Sequence, residues 1–151
     1  MRISAKADYA VRAAIELARN PDGPTKGEAI ATAQAIPLKF LENILIDLRH
    51  AGLVRSQRGA DGGYWLAKAP KQVSVADIIR AVEGPLASVR GEPPEELDYP
   101  KGAEQLQRVW IAVRSSLRGV VENVTLADLA GGALPARVEK LAADPDSWTT
   151  R

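Results

Sequence analysis

The sequence predicts a mainly α-helical protein with one small β-hairpin and one long helix set apart from the rest. Three observations predict it. Apolar residues recur at helical spacing over residues 7–19 and again over 37–49. Two short apolar-and-basic runs, Leu53–Gln57 and Tyr64–Ala67, flank the glycine-rich stretch RGADGG. A further apolar stripe at helical spacing follows a proline-rich break, over residues 103–121. With 46% apolar and 26% charged residues in 151 positions, the chain has the composition of one globular domain with an added element.

Each element follows from its own residues. In ADYAVRAAIELAR, Ala7, Ala10, Val11, Ala14, Ile15 and Ala18 form one stripe, and Asn-Pro-Asp-Gly-Pro at 20–24 stops the helix. Thr25 and Glu28 have the spacing of a capping box, opening a short second helix to about Gln34 whose alanines allow close helix approach. Pro37 suits the first turn of a third helix. There Leu41, Ile44, Leu45 and Leu48 face the core, while Lys39, Glu42, Asn43 and Ile46 lie on another side. Gly52 ends that helix, two residues after His50. Leu53–Gln57 and Tyr64–Ala67 read as strands, with Asp61, Gly62 and Gly63 taking the positive φ of the turn and Pro70 ending the second strand.

Ser74 and Asp77 form a second capping box, for a helix running to about Glu83. Residues 84–102 hold four prolines and three glycines and read as an irregular loop. The long helix, from about Ala103 to Val121, carries Leu106, Trp110, Val113, Leu117 and Val120 as its apolar stripe. Thr125 and Asp128 make a third capping box, and Gly131-Gly132 stops the short helix that follows. The tail is polar and broken, with a helical stretch expected over 135–142. The chain therefore divides into a front domain over 1–83, a loop over 84–102, a long and a short helix over 103–130, and a tail over 131–151.

The net charge of +1 conceals an asymmetry. Residues 1–70 carry 10 Lys/Arg against 7 Asp/Glu, a balance of +3; residues 71–151 carry 10 against 12, a balance of −2. The front half is the better candidate for an anionic partner. With no cysteine, disulfides, thiol catalysis and thiolate metal sites are excluded. The single histidine, His50, cannot build a histidine-rich zinc site and reads as a helix-end residue. No apolar run approaches the roughly 18 residues of a membrane span. The opening MRISAKADYA lacks the apolar stretch of a signal peptide, so the cytoplasm is the expected location. RGADGG is not GxGxxG and no GK[ST] follows it. Glu95, Glu96 and Asp98 cluster in a proline-rich loop, as a solvated face rather than a general acid/base pair. An enzyme is not expected.

Helix, helix, helix, hairpin is the order of a winged helix-turn-helix, and it meets the requirements of duplex binding. The third helix can enter the major groove. Arg55 and Arg58 can reach the phosphate backbone or the adjacent minor groove, and Gly59, Gly62 and Gly63 keep the tip slim. Lys6 and Lys26, near the starts of the first two helices, complement phosphate. Blander readings stand beside these. The hairpin can be a solvated turn, and Lys39 and Asn43 ordinary surface residues. Glu42 can accept from cytosine N4 or repel phosphate. Ile46 can touch a thymine methyl or cover a neighbour. Asp8 and Arg12, four apart, can simply pair. The Trp110 stripe needs a partner: a second copy of the helix about a two-fold axis, or residues 74–83 of the same chain. The competing function class is a winged-helix protein-interaction module acting with a partner enzyme.

The run FLENILIDLRHAGLVRSQRGADGGYWLAKAP closely resembles the signature of the IscR/NsrR/CymR family of bacterial transcription regulators, as do MRISAKADYAVRAAIELA and SVADIIRAVEGP. The resemblance is strong over 1–86 and rests on layout alone over 103–130. It implies a winged helix-turn-helix with a long dimerisation helix, acting as a homodimer on pseudo-palindromic, commonly AT-rich operators, usually as a repressor. It further implies a recognition helix from about Pro37 to Arg49, with Pro37, Lys39, Glu42 and Asn43 near its groove-facing start. The implied wing is Arg55 to Tyr64, with Ser56 on its first strand and Arg58, Gly59, Gly62 and Gly63 matching the family's RGxxGG pattern. Phosphate contacts are implied for Ser4, Lys6, Tyr9, Thr25 and Lys26, and dimerisation for the Leu106, Trp110, Val113, Leu117 and Val120 stripe. Many members hold an iron–sulfur cluster on three cysteines in the loop before the long helix. Here that loop has none, and Asp8, which matches a fourth ligand of the nitric-oxide-sensing branch, cannot hold a cluster alone. No cofactor is therefore expected. An effector could still be a partner enzyme, as for CymR, or a small molecule near Trp110 and Tyr99; a third reading is constitutive binding tuned only by protein level.

Overall fold

A computed structural model describes all residues, 1–151. It is mainly α-helical with one antiparallel hairpin. The elements are α1 (Ala5–Arg19), α2 (Gly27–Gln34), α3 (Leu38–His50), β1 (Val54–Gln57), β2 (Gly63–Leu66), α4 (Val75–Glu83), α5 (Gln105–Val121), α6 (Leu126–Gly131) and α7 (Ala136–Ala143). Short 3-10 turns lie at Pro70–Gln72, Pro94–Glu96 and Pro145–Trp148. No single helix is long and apolar enough to cross a membrane.

The core gathers around α1, which packs against α2, α3, α4 and α6. Because it has neighbours on several sides, its buried face is broader than one stripe. Ala7, Ala10, Ala13, Ala14, Leu17 and Ala18 are buried, whereas Val11 and Ile15 of the expected stripe are only half-buried. The small alanine side chains bring the surrounding helices close to the α1 backbone. Leu41, Ile44, Leu45 and Leu48 of α3 are all fully buried against it, as the spacing predicts, joined by Ile30, Ile78 and Leu126.

Two of the three expected capping boxes are present. The Ser74 hydroxyl accepts from the Asp77 N–H at 3.1 Å while the Asp77 carboxylate accepts from the Ser74 N–H at 2.9 Å. Thr125 and Asp128 repeat this at 3.1 and 2.9 Å. The two caps lie side by side, with the Val75 N–H donating to the Val124 carbonyl and the Leu126 N–H to the Val73 carbonyl, both at 2.9 Å. The third box is absent. α2 is capped by Lys26 without a side-chain bond, and Thr25 is extended instead, its backbone exchanging two 2.8 Å hydrogen bonds with Tyr64 of β2.

In the hairpin, Val54 pairs with Leu66, Arg55 with Trp65, Ser56 with Tyr64 and Gln57 with Gly63. The strand ends at Leu66, and Pro70 begins a 3-10 turn rather than terminating β2. Positive φ falls at Gly59 (104°) and Gly63 (153°), not at Asp61 or Gly62. Gly62 is required for space: a Cβ there would stand 2.1 Å from the Gln57 carbonyl oxygen.

Loop 84–102 is irregular apart from its 3-10 turn, yet it is fixed to α5. Gln107 Nε2 donates to the carbonyls of Pro94, Glu95 and Leu97 at 3.2, 3.2 and 3.0 Å, and Trp110 Nε1 donates to the Tyr99 hydroxyl at 2.9 Å. Arg114 pairs with Glu95. α5 itself has no buried residue. Trp110, Val113, Leu117 and Val120 are half-buried, whereas Leu106, Val109 and Ile111 are exposed.

Candidate nucleic-acid interface

α2 and α3 are bent by 116° across a short connection in which Ala35 takes the left-handed conformation. That angle lies within the roughly 90–120° of a helix-turn-helix. The bend lets α3 bury its leucine and isoleucine face in the core while its opposite face stays outside. Pro37, Lys39, Glu42, Asn43, Ile46 and Arg49 are all exposed on that side. Lys39 and Arg49 offer cations there, Glu42 and Asn43 offer hydrogen-bonding groups and Ile46 an apolar contact, all on a helix face open to solvent, the form a base-reading helix requires.

The wing is joined to this helix pair at three points. Thr25 extends the hairpin through its two bonds to Tyr64. Lys26 Nζ donates to the Ala60 carbonyl at the wing tip at 2.6 Å. Arg49 at the end of α3 donates to the Ser56 hydroxyl on β1 at 3.3 Å. Gly63 permits the first of these, since a Cβ there would lie 2.8 Å from the Thr25 carbonyl oxygen. Arg58 and Arg55 are exposed. The Arg55 guanidinium lies 5.0 Å from the centre of the Trp65 ring, its cross-strand partner, which holds the cation on one side of the hairpin.

The α1 residues are occupied differently. Ser4 caps α1, accepting from the Ala7 N–H at 3.0 Å, and its hydroxyl donates to Glu83. Lys6 pairs with Asp47 of α3 at 2.8 Å. Tyr9 and Phe40 pack edge-to-face, ring centres 5.5 Å apart, and the Arg12 guanidinium lies 4.9 Å from the centre of the Tyr9 ring. Asp8 and Arg12 pair at 3.0 Å, and Arg12 also donates to the Gln34 carbonyl. Lys26, Thr25, Tyr64 and the wing tip are thus brought together, as are Arg49 and Ser56, while Ser4, Lys6 and Tyr9 have partners within the protein. Sequence reasoning missed Asp47, Phe40 and Trp65. Strand register points to Trp65, whereas the Lys6–Asp47 pair joins distant positions and leaves no local signal.

The residues present do not fit an iron–sulfur cluster. The chain has no cysteine, and no three His, Asp or Glu side chains gather where they could hold a metal. Asp8 is turned to Arg12. In loop 84–102, polar contacts with α5 take the place of ligands. There the Glu95 backbone N–H, and next the Arg114 guanidinium, hold the Glu95 carboxyl below its ordinary range.

Comparison with known proteins agrees with this geometry. A family model described as "Rrf2: Iron-dependent Transcriptional regulator" matches residues 3–132. A protein of Mycobacterium tuberculosis named as an HTH-type transcriptional regulator is 50% identical over 145 residues, covering 95% of this chain and 90% of its own. The HTH-type transcriptional regulator CymR of Bacillus subtilis is 39% identical over 131 residues, covering 86% and 90%. The solved structure of B. subtilis CymR, titled the global cysteine regulator, superposes with a TM-score of 0.74 at 37% identity, covering 88% of this chain and 98% of that one. T. potens IscR superposes at 0.69 with 32% identity, covering 100% and 93%.

Proposed function

The chain belongs to the Rrf2 family of transcriptional regulators, and on that premise we propose how this dimeric, non-catalytic DNA-binding protein engages its operator. Two copies of α3 enter successive major grooves of a pseudo-palindromic site, roughly one helical turn apart. Lys39, Glu42 and Asn43 face base edges, Arg58 reaches the backbone or minor groove beside them, Arg49 sets the wing against α3, and Lys26 ties its tip to the start of α2. α5 provides the pairing between copies, and occupancy represses transcription. No iron–sulfur cluster takes part, because the donors for one are missing.

The observation that carries this reading is the 116° helix pair whose second helix buries Leu41, Ile44, Leu45 and Leu48 and leaves Lys39, Glu42 and Asn43 exposed beside a cationic wing. The test is selection of genomic fragments with the purified protein, followed by anisotropy titration of the recovered site at two salt concentrations. Arg58→Ala should weaken binding. Lys39→Ala and Asn43→Ala should change the ranking of operator variants, about 1–3 kcal/mol per base contact. Iron chelation should leave affinity unchanged. Affinity insensitive to salt would instead favour the protein-interaction module.

A further inference from the structure

The C-terminal residues form a hook whose outer part, from Glu139 onward, is covered by nothing else in the chain. α7 and the turn at Pro145–Trp148 contain no buried residue, and every position from Glu139 to Arg151 is exposed. Leu141 is 49% and Trp148 77% exposed. The segment is nevertheless internally bonded. The Ser147 hydroxyl donates to the Leu141 carbonyl at 2.9 Å, Trp148 Nε1 donates to the Ala142 carbonyl, and the Thr149 hydroxyl donates to the Asp146 carbonyl at 2.8 Å. A folded segment that holds a tryptophan ring in water presents a surface suited to a partner.

Its position suggests which partner. The hook is seated on its own chain through Arg137, whose guanidinium lies 2.9 Å from where a Cβ of Gly119 would stand. Gly119 is near the C-terminal end of α5, and the exposed Leu106 and Val109 are near its N-terminal end. A helix of 17 residues is about 25 Å long. Two antiparallel copies of α5 crossing at their midpoints bring each C-terminal end, with its hook, beside the other's N-terminal end. Residues 133–151 carry three acids and three bases, no cationic excess for phosphate, so a protein surface suits the hook better than a duplex.

We infer that the hook reaches across the dimer, with Trp148 and Leu141 of one copy packing on the Leu106–Val109 end of α5 in a second copy of this chain. This rests on the proposed pairing of α5, with the two copies taken to run antiparallel about the two-fold axis. It assigns a role to a segment beyond the span, 3–132, that the family model matches.

A chain without cysteine makes the test direct. Thr150→Cys in a tagged full-length copy and Gln105→Cys in an untagged one leave the apolar contacts and the internal bonds of the hook intact. Co-expressed and treated with a short bis-maleimide, they should give a crosslinked heterodimer on a denaturing gel. In sedimentation, Trp148→Ser should raise the dimer dissociation constant about tenfold or more, the usual effect of losing a tryptophan anchor. No heterodimer band, or closure only within one chain carrying both cysteines, overturns the hook. Ala112→Cys, on the exposed side of α5, separates the two ideas. If it crosslinks to itself while the first pair does not, α5 pairing stands and the hook falls. If neither crosslinks and the protein sediments as a monomer, both fall.

Discussion

Gly59 and Gly62 lie three residues apart in the wing and answer to different constraints. Gly59 has φ of 104° with open space around it, so an alanine there meets only backbone strain, about 1–2 kcal/mol. Gly62 has an ordinary φ but no room, because the Gln57 carbonyl oxygen occupies the place of a side chain. Gly62→Ala should therefore lower the urea midpoint more than Gly59→Ala and deform the wing; an equal loss for the two would contradict the turn geometry. The sequence announces a turn here, but not which glycine turns it. That depends on how the strands close, and Asp61-Gly62-Gly63 offers several ways. The same holds for Arg55. Its charge is visible in sequence, but the Trp65 ring that aims it becomes visible only once register is fixed.

Among elements, the helix starts separate local from tertiary information. Ser74 and Thr125 cap their helices as their spacing predicts, because the box is satisfied by neighbours within a single turn. Thr25 has a similar spacing and a different fate, since β2 lies alongside and takes its N–H and carbonyl. Ser74→Ala should therefore cost about 0.5–2 kcal/mol in chemical denaturation. Thr25→Ala should stay within about 0.5 kcal/mol, as expected where no side-chain bond is lost. α1 teaches the same lesson through packing. A periodic stripe marks a helix with one covered side, but α1 is enclosed by four helices, so Ala13 and Leu17 are buried as deeply as the stripe residues. α3, with one side in the core and one outside, buries the four residues its spacing predicts, although its contacts to α1 through Asp47 and Phe40 have no local signal.

At the scale of the whole molecule, helical content, the hairpin, the order of elements and the lack of cluster ligands were all legible in sequence. The contacts fastening loop 84–102 to α5 were not, because Gln107, Trp110 and Arg114 look like ordinary helix-surface residues until the loop is laid on them. α5 is clamped to the front domain at its C-terminal end. Arg80 of α4 pairs with Glu122, and Val124–Leu126 are bonded to Val73 and Val75 beside the start of α4. A rod clamped there by several bonds does not swivel freely against the body that carries α3. In the proposed dimer, the angular offset between the two copies of α3 is accordingly fixed. Adding about five base pairs between half-sites, half a turn of duplex, should abolish binding in a titration even though each half-site is unchanged. Retained affinity would show that the joint swings. Regulation by this protein is thus open to disruption by insertions and deletions that spare every base it touches: a promoter can escape through a change in length alone.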